Sequence, residues 1–164
     1  MARDEHDRED LLAEATALVE RAELRIAGES EPVVMGFRRD GSASAYFGAE
    51  PAFHFNGAGE LRRAFDQGLL YKAERRRLVS LKRERVPGAV QLLRHELTDE
   101  ETRLFFEELA RRFTRLRSAL AQGDWRLIGR VPASSDVVAR IRHWLDRLIL
   151  PPPVADSPRT RPSE

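Results

Sequence analysis

The chain has 164 residues, 41% of them hydrophobic and 34% charged, with no cysteine and a formal net charge of +1. That length and apolar share suit one folded domain that buries about two-thirds of its unfolded surface, which excludes global disorder. The absence of cysteine excludes disulfides, thiolate nucleophiles and cysteine-held zinc or iron–sulfur centres.

The first ten residues are crowded with charge and lack the apolar run of a signal peptide. No stretch approaches the ~18 apolar residues of a membrane-spanning helix, so a soluble, cytoplasmic protein with no membrane partner is expected. Charge is unevenly spread. Residues 1–31 carry 4 basic and 10 acidic groups, whereas residues 32–97 carry 12 and 7. The two segments are expected to neutralise each other in the fold. Among the 28 basic residues only Lys72 and Lys82 are lysines. An arginine excess of that size is what a G- and C-rich coding sequence produces, which dilutes its meaning for phosphate recognition.

In chain order, a helix is expected over 9–27, where Leu11, Leu12, Ala15, Leu18, Val19, Ala22 and Ile26 form one stripe and Gly28 is the stop. From Pro32 the period becomes two: Val33, Met35 and Phe37 alternate with Val34, Gly36 and Arg38. Asp40-Gly41 predicts a hairpin turn into Ala43–Phe47. Short strands follow at Ala52–Asn56, Glu60–Phe65, Leu69–Glu74, Leu78–Arg83 and Ala89–Leu97. Between them stand Asn56-Gly57-Ala58-Gly59, Asp66-Gln67-Gly68 and Val86-Pro87-Gly88, all turn chemistry. Connections this short join antiparallel neighbours.

Thr98-Asp99-Glu100-Glu101 is a capping box that opens a helix with Phe105, Leu109, Phe113, Leu116 and Leu120 on one face and Gly123 as its stop. Trp125 to Ile128 reads as a short extended piece. Ser134 or Ser135 is expected to cap a last helix bearing Val137, Ile141, Trp144, Leu145 and Leu148. Pro151-Pro152-Pro153 ends it, and 151–164 reads as a disordered proline-rich tail. The expectation is a single α+β domain over 1–150. Its core is an antiparallel meander of six or seven strands across 33–97, curled and packed against one N-terminal and two C-terminal helices.

No catalytic, metal or cofactor motif stands out. His6, His54, His95 and His143 have no ligand spacing within one element, and no serine has a nucleophile-elbow context. The leading expectation is therefore a non-enzymatic binding or accessory module, without cofactor, whose partner is an unknown protein or a second copy. A second reading is nucleic-acid binding through Arg62, Arg63, Lys72, Arg75, Arg76, Arg77, Lys82 and Arg83, which interleave with Phe65 and Tyr71. Alternation places Phe65 and Tyr71 on the apolar face and the charges opposite, as on a solvated outer surface. A third reading is a small enzyme or ligand-binding cup that uses His54, Tyr71 and His95.

Overall fold

The computed structural model describes residues 17–75 and 77–148. The expected helical segment over 9–16, Arg76 and the tail 151–164 lie outside these residues.

Among the described residues nine strands and two helices follow in order. The strands are β1 (Glu20–Ile26), β2 (Val33–Phe37), β3 (Ala43–Phe47), β4 (Ala52–Phe55), β5 (Leu61–Asp66), β6 (Leu69–Glu74), β7 (Arg77–Val86), β8 (Ala89–Glu96) and β9 (Trp125–Val131). Helix α1 (Asp99–Gln122) joins β8 to β9, and α2 (Val137–Arg147) closes the described chain. All nine strands form one antiparallel sheet in the order β8-β7-β6-β5-β4-β3-β2-β1-β9. The sheet is open, not a barrel. Among the described residues no helix is long and apolar enough to cross a membrane.

The expected meander is present as β2 to β8, seven strands, but the sheet that holds it has nine. The first addition corrects the helix expected over 9–27: Glu20–Ile26 is a strand. The helical stripe had passed over Leu24. As a strand, Ala22, Leu24 and Ile26 alternate strictly with Arg21, Glu23 and Arg25, and all three apolar side chains are buried. Tertiary pairing to β2 and β9 decides between the two periods. The second addition is β9, where the short extended piece at Trp125 is a full strand at the sheet edge.

The turns behave as their chemistry dictates. Asp40 Oδ1 accepts from Ser42 N at 2.9 Å and closes the β2–β3 hairpin. Asn56 Oδ1 accepts from Ala58 N and Glu60 N between β4 and β5. Between β4 and β5 the register shifts: His54 faces Arg63 and Phe55 faces Leu61, which leaves Arg62 as the extra residue of a bulge. The bulge turns both Leu61 and Ala64 toward the helices and moves Phe65 to the other face, opposite Ala52 and Leu70. Phe65 and Tyr71 therefore lie on opposite faces, contrary to simple alternation.

Helix α1 carries the return across the sheet. Thr98 accepts from Glu101 N, and the Glu101 carboxylate accepts from Thr98 N at 2.8 Å, which completes the capping box. At about 1.5 Å per residue the helix is about 36 Å long, close to the about 34 Å of seven inter-strand spacings between β8 and β1. Phe105 meets Tyr71 of β6, and Phe113 meets Phe47, Phe53 and Phe55 of β3 and β4. Helix α2 adds Trp144, which packs on Phe55, Phe37 and Phe113. Its N-cap is Asp136, with no side-chain capping bond, rather than either serine. Ser135 is drawn instead to β1, where its hydroxyl donates to Glu20 Oε2 at 2.5 Å.

Candidate interaction surface

The two faces of the sheet differ. The face under α1 and α2 is filled by Phe37, Phe53, Phe55, Phe113 and Trp144 with the leucines around them, so packed side chains occupy the space a ligand cup would need. The second face carries Arg21, Ser44, His54, Arg63, Lys72 and Arg83, together with the cross-strand row Tyr46, Ala52, Phe65, Leu70 and Leu81.

The three candidate pocket residues do not converge. His54 is buried on the second face, with Nδ1 2.6 Å from Ser44 Oγ and the Tyr46 ring edge-on at 5.7 Å. Arg38 Nη2 donates to Ser44 Oγ at 2.5 Å. A serine hydroxyl on a histidine nitrogen is the contact of a nucleophile with its base. Here Ser44 is 0% exposed, so no substrate reaches it, and the cluster ties β3 to β4. Ser44 was missed in the sequence because only the register Ser44↔His54 joins the two residues. Tyr71 lies under α1 against Phe105, and burial raises its phenol pKa, with Asp66 and Glu101 adding to the shift. His95 is exposed, with Nε2 2.9 Å from Glu101 Oε1. The Thr98 backbone amide, and after it the His95 contact, hold the Glu101 carboxyl below its ordinary range.

The basic candidates do not form one surface either. Arg62 stands in the bulge, Arg75 in the turn after β6, and Lys82 on the helix side opposite Leu93. Arg77 pairs with Glu96 at 3.4 Å. Arg63, Lys72 and Arg83 share the second face with Phe65, yet Arg63 and Arg83 are half-buried and Arg83 Nε is out of reach of solvent. Arg76 lies outside the described residues.

A cleft of about 150 Å³ opens beside the β1–β2 turn, where Glu29, Glu31 and Glu50 face Arg112 and Arg115. It is smaller than the about 300 Å³ at which small-molecule pockets begin, and the Arg115–Glu29 ion pair at 3.2 Å partly fills its polar side. Among the described residues no group of three His, Asp or Glu could hold a metal ion.

The most distinctive surface is at the β8 edge. Strand β6 pairs with β7 only from Glu74↔Arg77 to Leu70↔Leu81. Strand β7 runs on to Val86, and β8 returns beside it from Ala89. The pairs from Lys82↔Leu93 to Val86↔Ala89 therefore form a two-stranded arm beyond the end of β6, roughly 16 Å long at about 3.3 Å per residue. Every residue of β8 is exposed, including Val90 at 41%, Leu92 at 48% and Leu93 at 36%. The two charged side chains of β8 are already matched within the chain. Arg94 holds Glu74 through Nη1 at 3.1 Å and Nη2 at 2.6 Å, and Glu96 takes Arg77. The Arg94 guanidinium accordingly lowers the Glu74 pKa.

The opposite edge is built differently. Strand β9 carries Arg126 and Arg130, is joined to β1 through a register shift, and is followed by Pro132. Charge, bulges and proline are the devices that keep an edge from pairing. Strand β8 has no bulge and no proline, and its charges are neutralised. Among the described residues the sheet has one guarded edge and one open edge. Compared with protein-family models, curated proteins and solved structures, the chain finds no match.

Proposed function

We propose that the protein is a non-enzymatic binding module that takes a polypeptide strand onto the open edge of β8. The observation that carries this reading is the arm. An isolated two-stranded hairpin is at best marginally stable in water, and a third strand is what completes it. The arm extends past β6 and presents Val90, Leu92 and Leu93, all exposed, on an edge that no other described strand pairs with. Addition of a strand would satisfy the outward backbone groups and bury these side chains, the recognition mode of β-augmentation.

The dispersal of the arginines over two faces and a turn weighs against a phosphate-tracking groove, and the packed helix side weighs against a ligand cup. The test uses the full chain as bait beside a Leu92→Lys variant, with a differently tagged copy co-expressed so that self-association is scored too. Polypeptides held by the native chain and lost from the variant support the reading. Identical recovery from both, or recovery of nothing, contradicts it.

A further inference from the structure

The geometry points to a second copy of this chain as the strand that completes the arm, through antiparallel β8–β8 pairing about Leu92. This rests on the β8 edge being the binding site and names its occupant.

The hydrogen-bond direction along β8 fixes which backbone groups are free to pair. Leu97 N donates to Leu78 O at 2.9 Å, so Leu78↔Leu97 is a hydrogen-bonded pair of the β7–β8 ladder. Such pairs alternate in an antiparallel ladder, and the register from Val79↔Glu96 to Val86↔Ala89 has no break. The inward-bonded residues of β8 are therefore Ala89, Gln91, Leu93 and His95. The N–H and C=O groups of Val90, Leu92, Arg94 and Glu96 point away from β7, into the open edge.

A twofold axis perpendicular to the sheet pairs residues of the same face, so it lies midway between one residue and its own copy. With the axis at Leu92, Leu92 faces its own copy and Val90 faces Arg94 of the second copy, each pair exchanging two backbone hydrogen bonds. On the helix side Leu93 meets Gln91 and Ala89 meets His95. No like charges stand opposite one another, because Arg94 faces valine and is already neutralised by Glu74. Centring on Arg94 would set two guanidiniums face to face. Centring on Leu93 would draw in Leu97, which is 7% exposed and packed in the core. The Leu92 register uses only exposed residues and leaves no charge opposed, and this self-complementarity is what a symmetric pair requires.

Sedimentation of the full chain is expected to give twice the 18.7 kDa chain mass at tens of micromolar protein. Leu92→Lys places two ammonium groups against each other on the axis and is expected to return a folded monomer, with helix and sheet content unchanged by circular dichroism. Val90→Arg, opposite Arg94 of the second copy, is expected to weaken the dimer at least tenfold. Val90→Glu at the same position is expected to preserve it, a contrast that only this register produces. Because the chain contains no cysteine, Leu92→Cys gives a clean covalent test. Residues facing each other in such a pair have Cα atoms within disulfide reach, so oxidation is expected to cross-link the dimer, whereas Arg126→Cys on β9 is not. A monomeric native chain that still captures a Leu92-dependent partner would overturn the second-copy assignment and leave the binding-module reading standing. A monomer that captures nothing would remove both. A dimer that withstands Leu92→Lys and resists cross-linking at that position would overturn the register and the edge together.

Discussion

Replacing Phe113 by alanine examines how the helix layer is fastened to the sheet. The ring is 1% exposed and lies 5.5 Å from Phe47, 5.9 Å from Phe53, 5.7 Å from Phe55 and 6.1 Å from Trp144, centroid to centroid. It is the contact through which α1, α2 and strands β3 and β4 meet. Truncating a buried phenylalanine costs about 3–5 kcal/mol, and four rigid ring neighbours leave little scope for the hole to collapse, so the upper half of that range is expected. Phe113→Leu keeps most of the apolar volume and loses the edge-on ring contacts, each worth about 0.5–1.5 kcal/mol beyond burial and not additive. A cost of about 2 kcal/mol is expected for it. Urea unfolding at one fixed protein concentration reads both numbers, with the midpoint moving and the slope unchanged. A cost below about 1.5 kcal/mol for Phe113→Ala, or equal costs for the two variants, would refute the docking of α1 across the phenylalanine cluster.

Gly36→Ala is expected to destabilise by at least about 2 kcal/mol, because a β-carbon there would sit 2.3 Å from Glu20 O and 2.9 Å from Arg21 Cα, backbone atoms that yield only if β1 moves. A thermal melt within a degree of the native chain would contradict that contact. Thr98→Ala removes the hydroxyl that caps α1 and is expected to cost about 1 kcal/mol in the same urea assay, while Thr98→Ser costs clearly less. For Asp66, burial raises the carboxyl pKa against the opposing pull of Arg112, with Glu50 and Glu108 adding to the rise. A raised folded-state pKa gives stability that is full below the unfolded value of about 3.9 and is lost as pH climbs through the folded value. Asp66→Asn is therefore expected to be more stable than the native chain at pH 7 and indistinguishable from it near pH 3. A gap that is constant with pH, or reversed, would show that Asp66 is not held as described.

The hairpins of the meander were legible because their turns carry local chemistry: Asp40-Gly41, Asn56-Gly57, Gln67-Gly68 and Pro87-Gly88 each end one strand and start the next. Helix α1 was legible from Thr98, Glu101 and Gly123. What escaped the sequence depends on partners distant along the chain. Glu20–Ile26 satisfies a helical stripe in part and a strand alternation fully, and the pairing that settles it comes from β2 on one side and β9, about a hundred residues on, at the other. Ser135 reads as a cap until Glu20 is beside it. The bulge at Arg62 has no glycine to announce it, so the faces of Leu61, Ala64 and Phe65 could not be read by counting in twos. The arm follows from a difference in length, ten residues in β7 against six in β6, and it becomes visible only once both strands and their register are known.

Residue-resolved amide hydrogen exchange along β8, in the native full chain at tens of micromolar, tests the open-edge account most directly. Slow exchange is expected at Val90, Leu92 and Arg94, whose N–H groups point away from β7, with loss of that protection in Leu92→Lys while Gln91 and Leu93 keep theirs. Fast exchange at Val90, Leu92 and Arg94 in the native chain, the same as in the variant, would contradict it.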